Sequence, residues 1–219
     1  MERGVGRVAT WTTLIVLLAI VVVFAGIRLA TDVPNIVTGR QPDADSFEAR
    51  YAAVPWLAYT HILPGVVYLT LAPIQLWRRF RNRHLRWHRR IGRVALAAGL
   101  LSGLFGVTFG ILMSFGGVLQ ATASALFGTW FVMSLLIAYR AIRRRDQRVH
   151  RRWMIRAFAI GLAVGTIRLW IGLFEGFGIL AFRDAFGFAF WLAFGMHAAA
   201  AELWLRWRPL PTSGLRSPA

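Results

Sequence analysis

Polar and apolar positions in this chain are segregated into blocks instead of alternating. Six runs of mostly apolar residues occupy Ala9 to Ala30, Trp56 to Trp77, Ile91 to Ser114, Val118 to Tyr139, Ile155 to Gly176 and Ala185 to Arg206. Each has about the 20-residue length that a helix needs to cross the hydrocarbon of a bilayer. Little chain remains for a soluble domain. The pattern predicts an all-α fold: one integral membrane bundle of six transmembrane helices over 9–206, with short ends at 1–8 and 207–219. The first run is longer than the apolar core of a signal peptide, and no small-x-small cleavage site precedes Asp32, so it is read as a retained anchor.

The segments between the runs differ sharply in charge. Eight arginines lie between Arg78 and Arg93 and eight more between Arg140 and Arg156, which makes 78–90 and 140–154 strongly basic loops. The loop 31–55 instead carries Asp32, Asp43, Asp45 and Glu48 against Arg40 and Arg50. Short Arg-rich loops stay in the cytoplasm, so both basic loops and both chain ends are expected there, with the acidic loop outside. Laid over each other without a gap, 78–90 and 140–152 share seven residues, six of them Arg and the seventh His88 with His150. Each loop joins an inward-running helix to an outward-running one, so helices 2–3 and 4–5 are compatible with a parallel internal repeat.

The helix faces carry the candidate chemistry. On the third helix, Gly92, Gly99, Gly103, Gly106 and Gly110 form a small-residue stripe that begins at His88; on the fifth, Gly161, Gly165, Gly172 and Gly176 do the same above His150. Small residues let membrane helices approach closely, so both faces should point inward. Arg168 lies on the second stripe. A guanidinium within the hydrocarbon costs at least about 2.5 kcal/mol and needs a partner or an aqueous cavity. Glu175, two turns away, could form an ion pair with it, and an anionic ligand is the alternative partner. On the second helix His61, Gly65, Tyr68, Ala72 and Gln75 share one face, and Pro64 and Pro73 interrupt the hydrogen-bond ladder there. Such interruptions are tolerated where freed carbonyls find partners or line a cavity. The face is either kinked packing or a pocket wall, with His61, Tyr68, Gln75, Arg168 and Glu175 as the candidate ligand contacts.

Composition narrows the chemistry. The chain is 57% hydrophobic yet carries a net charge of +17, all of its 26 basic residues being Arg. The basic runs could neutralise nucleic-acid phosphate, but as short juxtamembrane turns they fit membrane lipids with anionic headgroups better, and no nucleic-acid partner is expected. With no cysteine, thiolate metal sites, iron–sulfur clusters and covalently attached haem are excluded. No HExxH zinc pattern, phosphate-binding glycine loop or GxSxG elbow is present, so neither a metal site nor a catalytic residue is assigned. His88 and His150 begin equivalent helices at equal expected depth. Two facing imidazoles suit a b-type haem, and the competing reading is an interfacial element that contacts headgroups, with its arginines snorkelling.

The stretch "HILPGVVYLTLAPIQLWRRFRNRHLRWHRRIGR", then "HRRWMIRAFAI" followed by "RLW", and "WLAFGMHAAAAELW" resemble the bacterial multi-pass membrane proteins grouped as domain of unknown function 2306, over about His61 to Glu202. The resemblance implies a helical inner-membrane fold without an assigned activity. Its characteristic positions match His61, Gly65, Pro73, Gln75, His88, Gly92, Arg93, His150, Trp153, Met154, Arg156, Arg168 and Glu202; of these, Gly92, Arg93, Trp153, Arg156 and Glu202 read as structural or topological. His197 and Ala72 depart from the pattern, which expects Asn and Gly there. Three functional classes stay open: a binder of a small or lipid-like ligand, a b-type haem electron-transfer protein, and a structural subunit that packs against a second copy or a membrane partner.

Overall fold

The computed structural model describes residues 2–207, and among these there are eight helices and no strand. Six are long and apolar enough to cross a membrane: α1 (Glu2–Thr38), α3 (Pro55–Leu76), α5 (Leu85–Leu112), α6 (Gly117–Arg143), α7 (Gln147–Gly176) and α8 (Phe182–Trp207). Two short helices, α2 (Ala49–Ala53) and α4 (Arg78–Arg83), lie in the connections before and after α3. The tail expected at 207–219 lies outside the described residues beyond Trp207.

Three boundaries differ from the sequence expectation, each for a local reason. The first helix does not stop at Ala30: Asp32, taken there as the start of an acidic loop, is held within the helix by Arg28 one turn earlier, and α1 runs on through Pro34 to Thr38. The basic segment 78–90 is mostly helical, because α4 occupies its first half and α5 begins at Leu85, with His88 in its first turn. The segment 140–154 shrinks to a turn at 144–146. There Arg145 adopts a left-handed backbone (φ 63°), the amide of Asp146 reaches back to the Ala141 carbonyl at 2.9 Å, and the Asp146 carboxylate caps α7 by accepting from the Val149 amide. The second span is one helix, as its apolar run predicts: α3 passes through Pro64 and Pro73 and stops at Leu76, where Trp77 turns extended.

Neighbouring helices pack in chain order, α3 on α5, α5 on α6, α6 on α7 and α7 on α8, and α8 closes back on α6. The long α1 leans on α3 and α7 from outside. The middle of the bundle is set by Tyr68 of α3, whose ring packs edge-on against Phe131 of α6. Glycines let α5 and α7 reach this ring. A Cβ on Gly99 would lie 2.8 Å from Tyr68 Cδ2, and one on Gly161 would lie 3.2 Å from Tyr68 Cε1. Gly99 and Gly161 are 62 residues apart, and the same offset separates the first residues of α3 and α6 (55 and 117) and of α5 and α7 (85 and 147). The α3–α5 and α6–α7 pairs therefore share one register, as the repeated basic segments suggest.

Candidate functional site

The densest polar cluster lies at the acidic-loop end of the bundle, at the seam where α1 meets α2, α3 and α7. Arg28 and Asp32 are one helical turn apart on α1 and pair at 2.5 Å, with side chains only 10% and 4% exposed. The Tyr59 hydroxyl of α3 donates to the other Asp32 oxygen at 2.7 Å, and Arg28 Nη1 donates to Glu48 Oε1 at 3.2 Å. Both carboxylates are thereby committed to Arg28. Desolvation explains the arrangement, since an unpaired charge in hydrocarbon is costly and a hydrogen-bonded pair much less so.

Two further guanidinium groups face this pair without carboxylates of their own. Arg50 of α2 donates to the Met113 carbonyl at 3.2 Å and to the Tyr51 hydroxyl at 3.1 Å, and it stacks 4.0 Å from the centre of the Phe47 ring. Tyr51, Phe109, Phe115 and Phe186 complete its cage at 5.0–5.7 Å. Burial pulls the Arg50 pKa below its ordinary value, with Arg168 and Arg28 adding repulsion, although a guanidinium remains charged at neutral pH. Arg168 of α7 lies 5.1 Å over the Phe24 ring of α1, within electrostatic reach of Tyr51 and Arg28. Three cations against two carboxylates leave one positive charge unbalanced in the cluster. The expected pairing of Arg168 with Glu175 is not formed: Glu175 is exposed near the end of α7, and Arg168 turns to the α1 seam instead.

The other expected pocket contacts are not gathered around Arg168. His61 Nδ1 lies 2.9 Å from the Ser102 carbonyl, and the Ser102 hydroxyl donates to the His61 carbonyl at 2.8 Å, which locks α3 to α5. Tyr68 is 1% exposed in the central core, its hydroxyl without a partner. Gln75 lies 14 residues beyond His61, roughly 21 Å along the helix, where its Oε1 faces Gly92 of α5. The polar face of α3 thus holds three separate contacts and not a single pocket wall. His197, at the departure from the expected Asn, shares a 2.8 Å hydrogen bond with Thr166. Among the described residues no three His, Asp or Glu side chains are grouped to hold a metal ion.

The sequence profile of the family described as predicted membrane protein (DUF2306) matches residues 58–205, about two thirds of the chain. This chain is a DUF2306 protein. No curated protein and no solved structure matches it.

In this DUF2306 protein the matched region supplies Tyr59 and Arg168 to the cluster, whereas Arg28, Asp32, Glu48, Arg50 and Tyr51 come from the segment before it. Sequence reading passed over Arg28, Arg50, Tyr51 and Tyr59. The available signal was the Arg28–Asp32 spacing of four within an apolar run, a helical ion-pair register. At the opposite end, Arg156 of α7 holds Glu202 of α8 through two hydrogen bonds of 2.5 and 2.9 Å, with its guanidinium 4.6 Å over Trp153. Arg93 bonds back to the Arg89 carbonyl at 3.4 Å. His150 Nδ1 lies 2.9 Å from the Ala138 carbonyl of α6, while His88 Nδ1 is buried without a partner.

Proposed function

We propose that this DUF2306 protein binds an acidic amphiphile, a carboxylate- or phosphate-headed lipid-like molecule, at the Arg168 seam between α1 and α7. The observation that carries the reading is Arg168 itself, a guanidinium inside a membrane span with no carboxylate within ion-pair distance among the described residues. Its neighbours on the seam favour a ligand that arrives from the lipid: Phe24 is 41% exposed and Leu169 52%, so apolar surface flanks the cation. A head group would neutralise the extra charge and a tail would lie along α1. With the basic loops in the cytoplasm, the site belongs to the outer half of a bacterial inner membrane. The test is mass spectrometry of the lipids and acids retained by the detergent-purified protein. Wild type should retain an acidic amphiphile that Arg168→Gln loses, whereas identical retained species in both would overturn the reading.

Ligation of a b-type haem by His88 and His150 has less support. The Ala138 carbonyl orients His150 as a ligand would be oriented, but His88 has no such anchor. Ala95 and Ala157, each seven residues beyond its histidine, are already closed into the packed core, which leaves little room for a porphyrin along these helices. A flat oxidised-minus-reduced spectrum after haem-sufficient expression is the expected result. A purely structural role explains the glycine contacts and leaves the unbalanced cation at Arg168 without a purpose.

A further inference from the structure

At the basic-loop end, far from Arg168, the last turn of α3 and the first turns of α5 and α7 bring together groups that the reading above does not use. Gln75 Nε2 and His88 Nδ1 are both buried and without a hydrogen-bond partner. Both belong to the contact of α3 with the start of α5: Gln75 Oε1 would lie 3.0 Å from a Cβ on Gly92, and Gly92 is one helical turn after His88 on the same helix. Arg81 of α4, Arg89 and His150 are close enough to act electrostatically on His88, and Arg81 and Arg78 act in the same way on Arg151 of α7.

Among the residues whose side chains are described, no carboxylate balances these cations: the acids at this end are Asp146, which caps α7, and Glu202, which is held by Arg156. Among the described residues none pairs with Arg78, Arg81 or Arg151. Two unsatisfied buried groups beside mutually repelling guanidinium groups call for a multivalent acceptor. A tetrahedral oxyanion supplies several acceptor oxygens and a compact negative charge, and Arg is well suited to it.

From this juxtaposition we infer a phosphate-binding site in which Gln75 and His88 hydrogen-bond phosphate oxygens while Arg81 and Arg151 neutralise the charge. The same chemistry is offered by a lipid phosphomonoester and by free phosphate. It is independent of the Arg168 site, since the two lie at opposite ends of the bundle and share no residue.

The experiment places the full-length protein in phosphatidylcholine nanodiscs and measures binding of inorganic phosphate in one arm and of trace phosphatidic acid in the other. Arg81→Gln and His88→Gln should each weaken binding by about tenfold, the loss of one charge-assisted or buried hydrogen bond. Arg79→Gln is the control: Arg79 is an exposed cation on the same short helix, and its removal should change binding by less than about twofold. Unfolding temperatures in phosphatidylcholine alone check that each variant is folded, and Arg151→Gln serves where one is not. Binding in either arm that is sensitive to Arg81 but not to Arg79 supports the site and identifies its source. Equal losses from Arg79→Gln and Arg81→Gln reduce it to diffuse attraction by a basic surface, and either that result or no binding in both arms overturns it.

Discussion

Gly106 gives the sharpest test of the packing, because the atoms it would strike belong to one identifiable contact. A Cβ built on Gly106 of α5 would lie 2.5 Å from His61 Nδ1 and 2.6 Å from Cε1. Carbon and nitrogen do not approach so closely, so Gly106→Ala must push the ring off the Ser102 carbonyl that it meets at 2.9 Å. Overpacking of a tight core costs about 1–3 kcal/mol, and a disrupted hydrogen bond adds roughly 1 kcal/mol, for a combined destabilisation of about 2–4 kcal/mol. In a His61→Ala background the obstacle is gone, and Gly106→Ala should cost less than about 0.5 kcal/mol, since alanine is also the better helix former. The assay is reversible unfolding in mixed micelles across the four corners of the cycle. The reasoning requires a coupling of about 1.5 kcal/mol or more between the two sites, in the upper part of the usual range for contacting residues. Additive effects within about 0.5 kcal/mol would refute it.

Four other outcomes follow from the same geometry. Gly172→Ala on α7, where nothing lies within 4 Å of a new Cβ, should leave stability within about 0.5 kcal/mol of wild type in the same micelle assay. Glu202→Ala removes both bonds from Arg156; because the Glu202 side chain is 32% exposed, the loss should be about 1–2 kcal/mol, read as the shift in unfolding midpoint. Arg145→Gly relieves the left-handed turn between α6 and α7 and should add about 1 kcal/mol. The chain has no cysteine, so single cysteines at Asn82 and Asp43 should label oppositely with a membrane-impermeant maleimide in right-side-out vesicles, Asp43 reacting and Asn82 protected.

The six spans and the shared register of the two helix pairs were legible in the sequence because each depends on local pattern: long apolar runs, small-residue stripes and the repeated His-Arg-Arg. The register is visible both in seven matched residues over 78–90 and 140–152 and in the common 62-residue offset of helix starts. Contacts between segments distant in the chain were not legible. Arg168 and Glu175 share a helix and a face, so the sequence pairs them, yet the guanidinium finds Phe24 from a helix more than 140 residues earlier. The Arg50 cage is assembled from α2 and the connection before it, α5, the α5–α6 turn and α8, and no periodicity within one segment encodes such a meeting. Hydropathy places Asp32 in a loop because it counts a charge as an interruption, whereas in three dimensions Arg28 and Tyr59 make it part of the helix interior.

The measurement that bears most directly on the central claim compares thermal unfolding of wild type and Arg168→Gln in neutral detergent as either oleate or oleyl alcohol is added. The two additives share a tail and differ in the charged head. A site poised for an acidic amphiphile should be stabilised by oleate and not by the alcohol, by about 2.7 kcal/mol at a hundred times the dissociation constant, and Arg168→Gln should lose most of that gain. Equal responses to the two additives, or an undiminished oleate effect in the variant, would contradict the account.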